Sequence, residues 1–459
     1  MFVRSIDPRS GQLVKETACT YPHDVPAIMA KAKAAQRSWA ALPKQARIDV
    51  MLNAETIFTR ERDALLNIIQ SEGGFPKKGS MGAYNSALKG FAYYVQQYQQ
   101  LDAKPFPLDP KAWVDTEATI QYVPHGVIGH IGIWNYPFWQ TMITAIPALL
   151  VGNAVVFKPS EYTTLTGLRI AQLWHEAGVP EGVFVPVVGG PELGRELVRS
   201  DFDALVFTGG VNTGMDIIRN GGIKPMILEL SGNDPAIICS DADLDQAVRG
   251  VANGTFSHGG QVCIRVKRVY VVESLAEKFI HLMVDIARRL DVREQVGPLI
   301  REDSRAKVHA AVQKAVASGA MLMYGGVRLE GPGYYYMPTV LVVRKDVDVR
   351  FDDEIFGPVC PIIIVKDEDE AVRLANDSKY GLGATVWTSD QEKGQRIAAQ
   401  IEAGTVWINE CGRTLTGGDY FQGWKSSGIA SSSDRLGLFL KKRAVIHHRS
   451  CQPRDHWMK

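Results

Sequence analysis

"GVIGHIGIWNYPFWQTMITAIPALLVGNAVVFKPS", residues 126–160, decides how the chain folds. Its first part, GVIGHIGIW, is apolar without alternation and reads as a buried strand. FWQTMITAIPALLVG reads as an apolar helix, and NAVVFKPS as a second buried strand. Strands buried on both faces and joined through a helix lie parallel in one sheet, with helices covering both sides. The most apolar part, 143–157, is too short to cross a bilayer and is broken by Pro147, Gly152 and Asn153.

The same alternation continues towards the C-terminus. Helix TTLTGLRIAQLWHEAG, strand VFVPVVGG, helix PELGRELVRS, strand ALVFTGG, helix VNTGMDIIRNGG and strand PMILELSG follow in turn. Sheets of this kind bind ligands beyond the carboxyl ends of their strands. A second α/β unit is expected next. It has helices near 241–253 and 274–290 and turns around YGGVRLEGPGYY. Its strands fall near 338–343, 360–365 and 384–388, with a helix over DQEKGQRIAAQIEAG and a last strand TVWINE. The end, DRLGLFLKKRAVIHHRS, reads as a helix and then a strand. Before residue 126 the chain reads as helical: 24–42 with Asp24 as its N-cap, a long helix stopped by Gly73 and Gly74, and YNSALKGFAYYVQQYQQ. TEATIQYVPHG alternates as an exposed strand.

The 459 residues, 46% hydrophobic and 22% charged, describe a globular chain of two or three domains. Lys and Arg number 51 and Asp and Glu 50, without a basic block, so neither nucleic acid nor an anionic membrane is an expected partner. Cysteines 19, 239, 263, 360, 411 and 451 form no CxxC pair, so neither a disulfide framework nor a metal site is expected. A reduced, cytoplasmic setting follows from that. MFVRSIDPRSGQLV carries no apolar core of signal-peptide length. There is no convincing repeat or low-complexity tract.

Four stretches carry candidate chemistry. In FSHGGQVC, Gly259 and Gly260 permit unusual backbone angles before Cys263, which would sit where a loop enters the strand RVKRVYVV. A thiol presented there is a candidate nucleophile, although a free cysteine is more often a small buried hydrophobe. In LELSGNDP, Glu229 ends an apolar strand, where desolvation raises a carboxylate pKa and suits a general base. In GIWNYPFW, the Asn135 amide could donate to a developing oxyanion, or simply hold a turn before Pro137. FKPSE and FTGGVNTG close parallel strands where a dinucleotide would lie, although the second is not the G-x-G-x-x-G fingerprint.

Taken together, these stretches resemble the aldehyde dehydrogenase superfamily, of the NAD(P)-dependent, hydrolytic type. WNYP, KPSE, FTGG, LELSGNDP, FSHGGQVC and EIFGPV (354–359) occur in the order found in that family, and the likeness runs from IDPRSGQLV to WKSSG. The resemblance implies a parallel-sheet, Rossmann-like dinucleotide-binding domain (1–105 and 125–230) and an α/β catalytic domain (231–430). A small β oligomerisation hairpin would lie at 106–124, with 440–459 as a second bridging element. It implies that Cys263 attacks an aldehyde, that Asn135 and the Cys263 N–H hold the oxyanion, and that Glu229 activates water to hydrolyse the thioester. Lys158 and Glu161 would hold the adenosine ribose. Gly190, Thr208, Gly209, Gly210, Val211, Asn212, Thr213 and Gly214 would lie near the pyrophosphate. Trp134, Glu354 and Phe356 would shape the nicotinamide end. Trp139, Ile143, Phe256, Val262 and Ile264, with Trp407 or Tyr420, would line an apolar substrate pocket. NAD is the expected cofactor with NADP possible, since a 2′-phosphate beside Glu161 costs about 1–3 kcal/mol. The expected partners are a small-molecule aldehyde and further copies of the chain, as dimer or tetramer. An acylating, coenzyme A type enzyme and a silent NAD-binding relative are the alternatives.

The chain departs from the family pattern in three places. Arg265 stands where a small residue is usual, either as a solvated wall or as an attractor for a carboxylate-bearing aldehyde. Gly210 replaces a serine. Tyr420, Gln422 and Ser431 to Ser433 interrupt the C-terminal pattern, and the second glutamate assigned there to proton relay is missing.

Overall fold

The computed structural model describes residues 1–347, 349–418, 420–429 and 435–449. The chain opens on an antiparallel hairpin, β1 (Phe2–Asp7) and β2 (Gln12–Ala18), and not on a helix. Val3 and Ser5 alternate inward, the period-2 signal that the sequence reading passed over. Helix α1 (Val25–Ala41) follows. Asp24 occupies its N-cap place, but the residue is itself helical and its side chain makes no capping bond. The long helix expected to reach Gly73 is two helices, α2 (Lys44–Arg60) and α3 (Arg62–Gly73), parted at Glu61. Gly74 ends α3 in the left-handed conformation, with φ of 68°. Helix α4 (Lys77–Gln99) completes this layer.

Strands β3 (Lys104–Phe106) and β4 (Thr116–Pro124) lead into the first sheet. Its core is β5 (Val127–Ile131), α5 (Pro137–Leu150), β6 (Ala154–Lys158), α6 (Thr164–Glu176) and β7 (Phe184–Pro186). Then come α7 (Pro191–Arg199), β8 (Ala204–Thr208), α8 (Val211–Asn220) and β9 (Met226–Glu229). Every residue of β5 and β6 is buried, as an unalternating apolar run demands. β5 pairs in parallel with β6 on one side and β8 on the other, so the strand order reverses at β5. That reversal opens the crevice in which α/β sheets bind ligands.

The second sheet has seven strands. It contains β10 (Asp234–Ile238), α9 (Leu244–Phe256), β11 (Val266–Val272), α10 (Glu273–Arg289), α11 (Glu302–Ala317), β12 (Met321–Tyr324), β13 (Thr339–Val343) and β14 (Val359–Val365). After α12 (Glu368–Asn376) and a two-residue β15 (Tyr380–Gly381), it closes with β16 (Gly383–Trp387), α13 (Gln391–Ala398) and β17 (Thr405–Ile408). All its neighbours pair in parallel except β12 with β13. β18 (Trp424–Lys425) pairs with β15, and β19 (Gly428–Ile429) adds an antiparallel edge to β9.

The expected helix before the last strand is only a 3-10 turn at Leu436–Phe439. The strand β20 (Leu440–His448) pairs with β4 of its own chain, from Leu440 opposite Pro124 to His448 opposite Thr116. With β3 it forms a three-stranded sheet. Ser431 to Ser433 and residues 450–459 lie outside the described residues. Among the described residues no helix is long and apolar enough to cross a membrane.

Candidate active site

The loop entering β11 is bent by sequence. His258, Gly259 and Gly260 take φ of 62°, 62° and 69° in succession. A Cβ on Gly260 would fall 2.0 Å from the Gly357 carbonyl oxygen, so only glycine lets the loop press against EIFGPV. His258 has a side chain in the same strained region, and its ring is held between Phe75 and Tyr136 at 3.7 and 4.9 Å. Burial pushes this ring down to about 3, so it is neutral, and its Nε2–H donates to the Asn135 main-chain oxygen at 2.8 Å. Gln261 locks the turn. Its amide donates to the carbonyls of His258 and Pro298, and its oxygen accepts from the Ile300 N–H. Val262 and Ile264 then join an apolar cluster with Leu382, and Cys263 between them opens into a cavity of roughly 1560 Å³.

The same cavity is lined from the first sheet by Trp134, Asn135, Thr208, Gly209, Gly210 and Glu229, and from the second by Glu354 and Phe356. Asn135 is 5% exposed and its amide donates to the Gln261 carbonyl at 2.8 Å, which couples the end of β5 to the cysteine loop and leaves one amide hydrogen. Burial pushes the Cys263 thiol up to about 12, and Asp234, Glu354 and Glu229 add to the rise while Lys267 opposes it. The resting nucleophile is therefore a thiol that needs a base. Burial likewise raises Glu229, against the opposing charge of Arg435. Arg435 Nη1 meets Glu229 Oε1 at 3.2 Å, and Oε2 is buried without a hydrogen-bond partner among the described residues.

Burial raises Glu354 to about 7, with Lys267 opposing at 3.8 Å. Lys267 Nζ donates to the Gly260 carbonyl at 2.7 Å and lies 4.8 Å from the centre of the Phe356 ring. Trp134 stands edge-on to Phe356 at 5.7 Å. Glu354 Oε1 is buried without a hydrogen-bond partner among the described residues, and Lys267 Nζ stands 3.8 Å from it.

Of the remaining cofactor candidates at the carboxyl ends of the first sheet, Lys158, Glu161, Gly190 and Val211 to Gly214 sit outside the lining of that cavity, and Gly210 lies on it. Lys158 is buried 3.6 Å from Glu161. Gly190 and Gly210 precede α7 and α8, and a Cβ on either would meet nothing within 4 Å. Val211, Asn212 and Thr213 open the first turn of α8, whereas Gly214 is buried against Leu230 and serves packing. A dinucleotide fits these features: open glycine turns, the N-termini of α7 and α8, and the Glu161 and Glu354 carboxylates.

Of the expected substrate wall, Trp139, Phe256, Val262 and Ile264 line the cavity. Ile143 does not; it is core, packed beside Gly418. Trp407 turns its indole to the Arg413 carbonyl and Tyr420 is exposed, so Phe421 supplies the aromatic face instead, edge-on to Trp139. Arg265 lines the cavity, and it is held beside Tyr136 and Cys411 with its Nε buried, so it is not a freely solvated residue.

The sequence reading assigned no role to Gln261, Asp234, Lys267 or Arg435. Lys267 had a signal, a cation inside an apolar strand, and Asp234 had one in a carboxylate opening another. Arg435 had none, since nothing near it in sequence marks its partner.

The chain is similar to known proteins over nearly its whole length. The sequence profile of the aldehyde dehydrogenase family matches residues 2–439. Betaine aldehyde dehydrogenase of Bacillus subtilis (strain 168) is 35% identical over 87% of this chain and 84% of its own. The NADP(+) succinate-semialdehyde dehydrogenase of Deinococcus radiodurans is 33% identical over 95% and 92%. The crystal structure of PnpE from Pseudomonas sp. WBC-3 superposes with a TM-score of 0.94 at 28% identity, covering 100% of this chain and 96% of that one. PnpE has also been solved with nicotinamide adenine dinucleotide.

Proposed function

This chain belongs to the aldehyde dehydrogenase family, and from that premise we propose the role of each residue in its NAD(P)-dependent oxidation of an aldehyde to the acid. Cys263 Sγ attacks the carbonyl carbon, and its proton passes to solvent in the cavity. The second amide hydrogen of Asn135 and the Cys263 N–H donate to the oxyanion of the thiohemiacetal. Bound NAD(P) supplies the hydride acceptor. After the hydride has left, Glu229 takes a proton from water, the hydroxide adds to the thioester, and the acid departs as Cys263 regains its proton. Glu354, Phe356 and Trp134 hold the nicotinamide end, and Lys158 and Glu161 hold the adenosine ribose. The observation that carries the reading is the meeting of Cys263, Asn135 and Glu229 on one cavity from two separate sheets.

Glu229 favours hydrolysis over transfer to coenzyme A, because a buried carboxylate is the base that water requires. NAD is preferred to NADP, since a 2′-phosphate beside Glu161 costs about 1–3 kcal/mol. Trp139, Phe256 and Phe421 support an apolar or aromatic aldehyde. The test is NADH formation by the purified protein with NAD and an aldehyde panel, beside Cys263→Ala and with added coenzyme A. Turnover lost in the variant and unchanged by coenzyme A is expected. An acyl thioester product, or turnover surviving in Cys263→Ala, would overturn the reading.

The chain is also proposed to assemble as a homodimer or a dimer of dimers through the three-stranded sheet. Exposed Phe106, Val445 and Ile446 on that sheet support this. Gel filtration at the mass of one 50.5 kDa chain would count against it. A cytoplasmic setting is proposed as well, for which fractionation is the check.

A further inference from the structure

We propose that Arg435 is a positioning residue for thioester hydrolysis, one that anchors Oε1 of Glu229 by a charge-assisted bond and so leaves Oε2 as the oxygen that takes a proton from water. The proposal rests on Glu229 being the base for hydrolysis.

The geometry is that of a built clamp. Arg435 and Glu229 side chains are 3% and 8% exposed and meet at 3.2 Å across 206 residues of chain. The guanidinium is tied elsewhere: Nε donates to the Ile143 carbonyl at 3.0 Å, and Nη1 also reaches the Gly418 carbonyl at 3.5 Å. Anchored to main chain at the middle of α5 and at the turn before Phe421, it holds a fixed place against which the carboxylate is aligned. A guanidinium cannot lose its proton in a protein, so the clamp persists at every working pH. Oε2, buried and unpartnered among the described residues, is the atom left over.

The other charged groups near Glu229 do not replace this contact. Across the cleft stand the Cys263 thiol and Glu354, with Asp234 and Lys267 behind them and neutral His258 beside the loop. Arg265 and Arg413 line the cavity from the second sheet and the segment after β17, and Lys78 and Lys89 line it from α4. None of these is bonded to Glu229 among the described residues, and only Arg435 opposes the effect of burial on it. Without that charge, burial alone acts on Glu229, and a neutral carboxylic acid cannot accept a proton from water.

The test uses 4-nitrophenyl acetate, which needs no cofactor. Cys263 gives its thiol proton to solvent as Sγ forms a bond to the acetyl carbon, 4-nitrophenolate leaves with the bonding pair, and water then hydrolyses the acyl-enzyme to acetate and returns a proton to Sγ. The burst of 4-nitrophenolate counts acylation, and the steady rate reports hydrolysis. Both are followed between about pH 6 and 9 for the wild type, Arg435→Gln, Arg435→Lys, Glu229→Gln and the Arg435→Gln, Glu229→Gln double variant. Arg435→Gln is expected to keep its burst, while the acid limb of its steady rate moves up by about 1 pH unit or more. Arg435→Lys restores the limb, and the double variant is no slower than Glu229→Gln. An unmoved limb in Arg435→Gln, or a further loss in the double variant at every pH, overturns the proposal and leaves Cys263 standing. No burst from the wild type overturns the Cys263 reading and this one with it. Where Arg435→Gln does not fold, the infrared carboxyl band of the wild type is compared with that of Glu229→Gln at pH 7. An ionised Glu229 supports the clamp, and a protonated one overturns it.

Discussion

The two sheets meet the same cavity from opposite ends of their strands. In the first, Lys158, Thr208 and Glu229 are the last residues of β6, β8 and β9, and Asn135 follows β5. In the second, Asp234 is the first residue of β10, Cys263 precedes β11, and Glu354 and Phe356 precede β14. A carboxyl end runs straight into a helix N-terminus, so ligand-facing groups arise there with ordinary backbone angles. An amino end is entered from a returning loop, and presenting a thiol there requires a tight reversal. The three consecutive left-handed residues before Gln261 are that reversal. The thiol at the amino end is thus presented by a strained turn, whereas the groups at the carboxyl ends of the first sheet sit on ordinary backbone angles.

The sharpest way to separate the two ends is to disable one group from each. Cys263→Ala removes acylation and should abolish the first turnover of NADH. Glu229→Gln should leave that first turnover as a burst and slow the steady rate by ~10²–10⁴-fold. Rapid-mixing absorbance distinguishes them, and loss of the burst in Glu229→Gln would mean that both ends serve acylation.

A smaller effect tests the strain itself. Gly260→Ala places a Cβ against the Gly357 carbonyl at a φ of 69°, and should destabilise the fold by ~2–6 kcal/mol. Gly210→Ala meets open space and should shift thermal unfolding hardly at all. Equal behaviour of the two variants in calorimetry would break the comparison.

The smallest effect is in pH. Glu354 is raised from 4.5 to about 7 in the fold, so the native state holds a proton there that the unfolded chain has lost. Its contribution to stability is full below about pH 4.5 and disappears as pH rises through about 7, at most about 3 kcal/mol in all. Glu354→Gln should flatten that decline when unfolding midpoints in denaturant are compared across the window. A parallel decline in both proteins would show that Glu354 does not carry it.

Much of this was legible in the sequence, and unevenly so. The βαβ alternation from residue 126 and the motif residues Cys263, Asn135 and Glu229 could be read because each depends on its near neighbours. The first hairpin was passed over because its two inward residues, Val3 and Ser5, are too few to set a clear period. Ile143 was placed in the pocket and lies in the core, since an apolar helix hides which face looks inward. Gln261 stood in a quoted motif, yet its three bonds run to residues as distant as Ile300.

The sequence by itself determined a parallel α/β chain with a thiol, an amide and a carboxylate at the ends of its strands, because strand burial and turn glycines are local properties. Only the tertiary structure decided that the amino ends of the second sheet meet the carboxyl ends of the first on one cavity, that Gly260 must yield to Gly357, and that Arg435 reaches Glu229. These are meetings of surfaces far apart along the chain. Their energies arise from desolvation and close contact, which exist only once both sheets are packed.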